Sequence, residues 1–212
     1  MTTVVKIGGA RAVDPAGALA DVATLSEDED VAVVHGGSTA VDETLERLGI
    51  EPEYVETPSG VVGRFTDAET MEVFEMVFGK LNLELVTQLQ DLGVNAVGLS
   101  GPDGQVLSGS RKSAVRVLED GKRKIRRGDH SGTIESVNDD LLTLLLEAGY
   151  TPVVTVPMFA EEGTAVNSDA DRAAAAVAGA LGATLVELTD VDGVYRDPED
   201  PATRIDRVET AA

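Results

Sequence analysis

Short apolar runs alternate along this chain with longer stretches in which apolar residues recur every three or four positions. "TTVVKIGG" predicts a strand ending in a glycine turn, and "DPAGALADVATLSED" a helix with Asp14 as its cap and Pro15 just inside it. "DVAVVHGGS" repeats the strand-then-glycine unit, and the helix "TAVDETLERLG" follows it. "TMEVFEMVFGKLNLELVTQLQDLG" predicts a long amphipathic helix, and "VNAVGLSG" another strand running into a glycine turn. "DDLLTLLLEAG" and "YTPVVTVPMF" pair a helix with a strand, as do "DADRAAAAVAGALG" and "ATLVELTDV". Continuous apolar strands alternating with helices predict an α/β protein with a mainly parallel central sheet covered on both faces. In such a fold, ligands bind beyond the carboxyl ends of the strands, at helix N-termini. "KIGGA", "VHGGST" and "GLSGPDG" put glycine turns at three strand ends, and "LTDVDGVY" is a fourth loop of similar character. Gathered on one sheet edge, such loops would offer backbone N–H groups to a phosphate or carboxylate.

Composition narrows the picture. With 212 residues and 42% hydrophobic content, the chain can bury a real core, as one domain or two closely joined lobes. No window of about 18 apolar residues appears, and the N-terminus runs directly into a strand without a signal-peptide pattern. The absence of cysteine removes disulfide and thiolate chemistry and fits a cytoplasmic protein, and two histidines leave too few ligands for a zinc site. The formal net charge is −21, from 38 acidic and 17 basic side chains of which five are Lys. Carboxylates spread along the whole chain resemble a surface adapted to a high-salt cytoplasm; an acidic surface meant for a basic partner is the alternative. A field of this sign repels phosphate backbones and disfavours nucleic acid as a partner.

One segment breaks the pattern. "RKSAVRVLEDGKRKIRR", residues 111–127, holds eight of the 17 cations against two acids, a local net of +6. Asp120-Gly121 is a two-residue hairpin signal that pairs Glu119 with Lys122, Val117 with Lys124 and Val115 with Arg126. Lys122, Lys124 and Arg126 then share one face, and Arg116, Arg123 and Arg127 the other. Cations on both faces predict a β-hairpin near residues 114–127 projecting from the body. By itself, it reads equally as a solvated edge.

The common nucleotide and hydrolase signatures are missing: there is no G-x-x-x-x-G-K-[ST], no G-x-G-x-x-G after a strand, and "GLSGP" lacks the spacing of a nucleophile elbow. Lys6, inside an apolar strand and two residues before a glycine pair, either meets an anion or snorkels from the strand edge. Arg64, in a Gly-flanked loop, is either a bidentate carboxylate clamp or a solvated arginine. Asn167, Asp169 and Asp171 sit at the start of an Ala-rich helix, where capping alone accounts for Asp169. His35 and His130 read as structural or surface residues rather than catalytic ones.

Taken in order, "VVKIGG", "VVHGGS", "GVVGRFTD", "AVNSDADRAA" and "LTDVDGVY" resemble the amino-acid kinase family over essentially the whole chain. The acetylglutamate kinase branch is the most similar. Within it, "HGGS", "PSGVVGRFTDAETMEVFEM", "GLSGPDG" and the basic hairpin resemble the kinases that act on glutamate or 2-aminoadipate linked to an acidic LysW-type amino-group carrier protein. The resemblance implies a three-layer αβα sandwich, with an acyl-acceptor lobe over residues 1–160 and part of an ATP-binding lobe over 161–212. It implies ATP with Mg2+ and a homodimer. On this sequence, Lys6 would stabilise the transferring phosphoryl group, with Asp171 orienting the catalytic lysines. Gly8 and Gly9 would offer N–H groups to the phosphoryl group. Gly36, Gly37, Arg64 and Asn167 would hold the amino-acid substrate, while Thr189, Asp190 and Tyr195 would line the ATP site. Lys122, Arg123, Lys124, Arg126 and Arg127 would dock the carrier.

A carboxylate attacking ATP is already ionised, so this chemistry needs charge stabilisation rather than a base. That agrees with a set of candidates lacking a nucleophilic Ser, Cys or His. The family pattern continues past "RIDRVETAA", which reads as part of a helix, and includes a second lysine, whereas Lys124 is the last lysine here. Little phosphotransfer is expected of the 212 residues alone. Two alternatives stay open: a kinase of free acetylglutamate, and a non-catalytic binding module of the same fold.

Overall fold

The computed structural model describes residues 1–9, 14–58, 60, 62–119, 122–161, 163–189, 191–197 and 200–206. Five strands form one parallel sheet: β1 (Thr2–Ile7), β2 (Asp30–His35), β5 (Ala96–Ser100), β8 (Thr151–Thr155) and β11 (Thr184–Leu188), in the order β11-β1-β2-β8-β5. Five helices accompany it: α1 (Pro15–Leu25), α2 (Ser38–Leu48), α3 (Ala68–Asp91), α4 (Asp139–Glu147) and α5 (Ala170–Leu181). Their starts follow from local chemistry: Asp14, Asp67, Asn138 and Asp169 each cap a helix with a side-chain oxygen, and Pro15 occupies the first turn of α1.

The pleat sorts alternate residues of the central strands into two cores. Val4, Val34 and Val154 pack with α2, α4, α5 and the first half of α3. Val5, Ile7, Val33 and Val153 pack with α1 and with Leu85 and Leu89 of α3. This is the expected α/β arrangement, a parallel sheet between helical layers. At 24 residues, about 36 Å, α3 is long enough to serve both cores.

A second unit was not foreseen. The expected strand "YTPVVTVPMF" divides after Thr155, and β9 (Pro157–Ala160) leaves the parallel sheet to join β6 (Leu107–Glu119), β7 (Lys122–Val137) and β10 (Thr164–Asn167) in a closed four-stranded barrel. Fully buried Met158 and Val166 fill its interior. Gly132 leaves room for them, since a Cβ there would lie 2.8 Å from the Val166 side chain.

The basic hairpin is the outer part of β6 and β7, and its register is the expected one, Glu119 opposite Lys122, Val117 opposite Lys124 and Val115 opposite Arg126. The turn residues Asp120 and Gly121 lie outside the described residues. The ribbon is also anchored to the body on one side. Val117 is fully buried, and Arg126 binds both oxygens of Glu53 at 2.7 and 3.0 Å and lies over the Phe65 ring. Val117 and Arg126 turn inward on that face, while Lys122 and Lys124 on it stay exposed, as do Arg116, Arg123, Ile125 and Arg127 on the other. Among the described residues are also two short antiparallel pairs, β3 (Tyr54–Glu56) with β4 (Val62–Arg64) and β12 (Val194–Tyr195) with β13 (Arg204–Ile205). The start of "RIDRVETAA" is therefore strand rather than helix, and residues 207–212 lie outside the described residues.

His35, 1% exposed, joins β2 to α3: its Nδ1 lies 3.0 Å from the Gly36 carbonyl and its Nε2 3.2 Å from Asn82 Nδ2, which also donates to the Val153 carbonyl at 2.9 Å. A neutral ring donating from Nδ1 and accepting at Nε2 satisfies both contacts. Burial pushes its pKa down from 6.5 to about 4, against a smaller opposing effect of the Gly36 contact. The unfolded chain therefore binds this proton first as pH falls. The His35 contribution to stability is complete above pH 6.5 and is lost as pH drops toward 4, about 3 kcal/mol in all. Urea denaturation across that interval should show the slope, and His35→Gln, which cannot ionise, should flatten it.

Candidate active site

The parallel pairing of β1 and β2 ends both strands on the same edge of the sheet, where each runs into a glycine pair. A Cβ on Gly9 would lie 2.7 Å from the Cα of Gly37, so the two turns approach closer than any side chain permits. Between them and the start of α5 opens a cleft of about 670 Å3, lined by Lys6, Gly8, Gly9, Gly36, Gly37, Arg64, Asn167, Asp171 and Thr189 among others. Residues from five separate stretches of sequence thus meet in one place.

Lys6 is 8% exposed and its ammonium pairs with the carboxylate of Asp171, in the first turn of α5. Asp171 itself is largely open to solvent, so the pair is half-buried, with its cation inside. The sheet already takes two of the four glycine N–H groups: Gly8 donates to the Leu188 carbonyl and Gly36 to that of Ile7, each at 3.0 Å. This corrects the expectation for Gly8, whose donor is committed to β11. Among the described residues, no hydrogen bond takes the N–H of Gly9 or Gly37. Gly37 also opens α2 without a side-chain cap, leaving the positive end of that helix dipole in the cleft. At α5, Asp169 caps the Arg172 N–H at 2.8 Å, as its position predicted.

Arg64 lines the cleft but is not free. Its guanidinium pairs with Asp42 of α2, reaches the Ser38 carbonyl at 3.3 Å and lies over the rings of Tyr54 and Phe74 at 5.0 and 5.4 Å. The Tyr54 hydroxyl donates to the other Asp42 oxygen at 2.7 Å. Burial works to raise the Asp42 carboxyl pKa, but the two hydrogen bonds and the Arg64 charge outweigh it and hold it below its ordinary value. Asp42 went unnoticed in the sequence because it is a part-buried residue of a helix, 22 positions from its arginine, with no local signal linking the two.

Asp190 lies outside the described residues, and Tyr195 sits in the β12–β13 ribbon, away from the cleft lining. "GLSGPDG" contributes nothing there: its strand β5 is at the far edge of the sheet, its Ser100 N–H goes to Asp103 at 2.7 Å and its Gly101 N–H to the Pro157 carbonyl at 2.8 Å. Lys112, from the inner part of the basic run, does line the cleft. A bulge between Lys112 and Ala114 shifts the register there, which pattern reading on the outer hairpin did not reach. His130, within β7, contacts the Gly128 carbonyl through Nδ1 at 3.0 Å, in keeping with a structural role.

The family model for amino acid kinases matches residues 1–212. The chain belongs to the amino acid kinase family. The LysW-aminoadipate kinase of Deinococcus radiodurans is 50% identical over 205 residues, 95% of this chain and 70% of that protein. The enzyme of the same name from Thermus thermophilus is 45% identical, over 95% of this chain and 76% of its own. The acetylglutamate kinase of Methanopyrus kandleri is 44% identical, over 97% of this chain and 78% of its own. Among solved structures, a Streptococcus mutans protein superposes with a TM-score of 0.74 at 22% identity, covering 92% of this chain and 75% of its own, a likeness of fold. Membership explains the cleft: it lies where strand ends, glycine turns and helix N-termini of this fold converge.

The contact of Gly9 with Gly37 makes one prediction independent of any ligand. Gly9→Ala should lower stability by about 1–3 kcal/mol, read as a lower urea midpoint at unchanged slope, because one of the two turns must move.

Proposed function

We propose that this protein uses ATP to phosphorylate the side-chain carboxylate of glutamate or 2-aminoadipate linked to an acidic, LysW-type amino-group carrier protein, giving an acyl phosphate. The observation that carries the reading is the buried Lys6, paired with Asp171 and set between two glycine turns with open N–H groups. An acceptor carboxylate is ionised at neutral pH and needs no base. What it needs is relief from the repulsion between two anions and stabilisation of charge on the moving phosphoryl group. Lys6 supplies the positive charge, Asp171 holds its ammonium in place, and the N–H groups of Gly9 and Gly37 with the start of α2 supply dipoles. Arg64 and Asn167 face the acceptor, with Asp42 and Tyr54 fixing the arginine.

In this reading, residues 1–160 bind the acceptor and residues 161–212 belong to the nucleotide side, where Thr189 lines the cleft. Mg2+ would be held largely by the nucleotide phosphates and would neutralise part of their charge. The names of the Deinococcus and Thermus relatives support a carrier-linked acceptor. The Methanopyrus relative supports the second reading, a kinase of free acetylglutamate. The cysteine-free, strongly acidic composition supports a cytoplasm rich in salt. A homodimer fits α3, whose solvent side exposes Met76 and Leu83 on either side of Gly79.

For the carrier, the outer hairpin offers Lys122, Arg123, Lys124 and Arg127, with Arg126 tethered to Glu53 and setting the ribbon against the body. Two acidic proteins repel at long range, so contact between them depends on such a local patch and on close ion pairs that salt screens less.

Trapping acyl phosphate as hydroxamate tests the reaction, on this chain and on the same chain joined to the C-terminal segment of the Deinococcus relative. Product from the carrier-linked acids and not from free acetylglutamate is expected, more from the joined protein; no product from either protein with either acceptor would sink the reading. Lys6→Met should cost about 100-fold or more in turnover with the fold intact. Reversing Lys122, Arg123 and Arg127 to Glu should weaken carrier binding about tenfold or more, measured by calorimetry, and leave binding of free acceptor unchanged.

A further inference from the structure

The acceptor side of the cleft is backed by a buried polar chain. Thr66, fully buried in the link between β4 and α3, makes three hydrogen bonds to distant segments. Its hydroxyl accepts from Asn167 Nδ2 at 3.1 Å. Its N–H donates to Asp129 Oδ1 at 3.1 Å, and its carbonyl accepts the His130 N–H at 2.6 Å. Asp129 is 1% exposed; its second carboxylate oxygen accepts from the hydroxyl and the N–H of Ser131, and its carbonyl accepts from Arg111 Nε at 2.9 Å. A carboxylate this deep is costly unless its oxygens are bonded, and here three donors meet it.

We infer that Thr66 and Asp129 are positioning residues that set the side-chain amide of Asn167 and, through it, the wall that receives the acceptor. The inference rests on Asn167 meeting the acceptor as proposed above. The last torsion of an asparagine is soft, and its two ends differ chemically, one a double donor and the other an acceptor. The Thr66 oxygen takes one N–H of Nδ2, which turns that end toward the buried side and leaves Oδ1 and the second N–H for the cleft. Asp129 and His130 in turn fix the Thr66 backbone against β7, so the hydroxyl has one place to stand. Arg64 lies two residues before Thr66, and the same bolt sets the end of β4 that carries it. One short chain of hydrogen bonds therefore aligns two acceptor-facing side chains separated by 103 positions (167 − 64).

The test uses the 212-residue chain labelled with 15N, following the Asn167 side-chain NH2 pair, together with calorimetric affinity for the carrier-linked acids and for acetylglutamate. The Asn167 pair should exchange slowly with solvent in the wild type. In Thr66→Val, which keeps the volume and loses the hydroxyl, exchange should become fast and acceptor affinity should fall about five- to tenfold, with ATP affinity unchanged. Thr66→Ser should restore slow exchange, and affinity to within about twofold of the wild type. Combined with Asp129→Asn, the valine change should cost less than the sum of the two alone. Unchanged Asn167 exchange in Thr66→Val, or a serine protein as impaired as the valine one, would overturn the inference; Thr66→Ala answers the same question should the valine protein not fold. Failure of the wild type to bind either acceptor would instead defeat the functional reading, while Asn167 exchange still decides the role of Thr66.

Discussion

Everything in the cleft depends on how closely two backbone turns approach. Parallel pairing of β1 with β2 delivers Gly9 and Gly37 to the same point, and only the lack of a Cβ lets them share it. From that contact follow the open N–H groups beside Lys6, the uncapped start of α2 and the short span from Lys6 to Asp171. The strands supply the alignment by ladder hydrogen bonds, and those same bonds consume the N–H of Gly8 and of Gly36. The division is economical: the first glycine of each pair finishes the sheet, and the second faces the cleft.

A lysine inside a strand would ordinarily weaken the sheet, since a buried ammonium loses its hydration. Lys6 is tolerated because its charge ends at Asp171, whose own carboxylate stays in water and so gives up little. An anion entering the cleft meets a cation already desolvated and held in place, which strengthens their attraction over that of a solvated pair. On the opposite wall, Asp42 plays a comparable part for Arg64, with Tyr54 as the second hydrogen-bond donor. Lys6 and Arg64 are thus each held by a carboxylate from a helix.

The barrel and the basic ribbon form one continuous construction. β6 and β7 wall the barrel at their base, carry Lys112 into the cleft midway and expose Arg116, Arg123, Ile125 and Arg127 beyond it. Asp129 lies on β7 between these parts and reaches Thr66, so the ribbon, the link before α3 and Asn167 share a few hydrogen bonds. Charge and geometry are combined in one pair of strands.

By itself, the sequence determined the strand–helix alternation, the helix caps, the hairpin register and the glycine turns at β1 and β2. These are set by periodicity and by neighbours a few residues apart, so a linear reading reaches them. The ordered motifs also carried Lys6, Arg64, Asn167 and Asp171 to one site, through resemblance rather than through any local signal. Only the tertiary structure decided that "YTPVVTVPMF" divides between two sheets, that "GLSGPDG" lies too far along the sheet to join the cleft, and that Arg126 turns inward to Glu53. It alone revealed the partners Asp42 and Thr66, which stand 22 and 101 positions from the residues they hold. The physical reason is common to all of these. A hydrogen bond or an ion pair between distant segments depends on strand order and packing, and neither leaves a periodic trace in the chain.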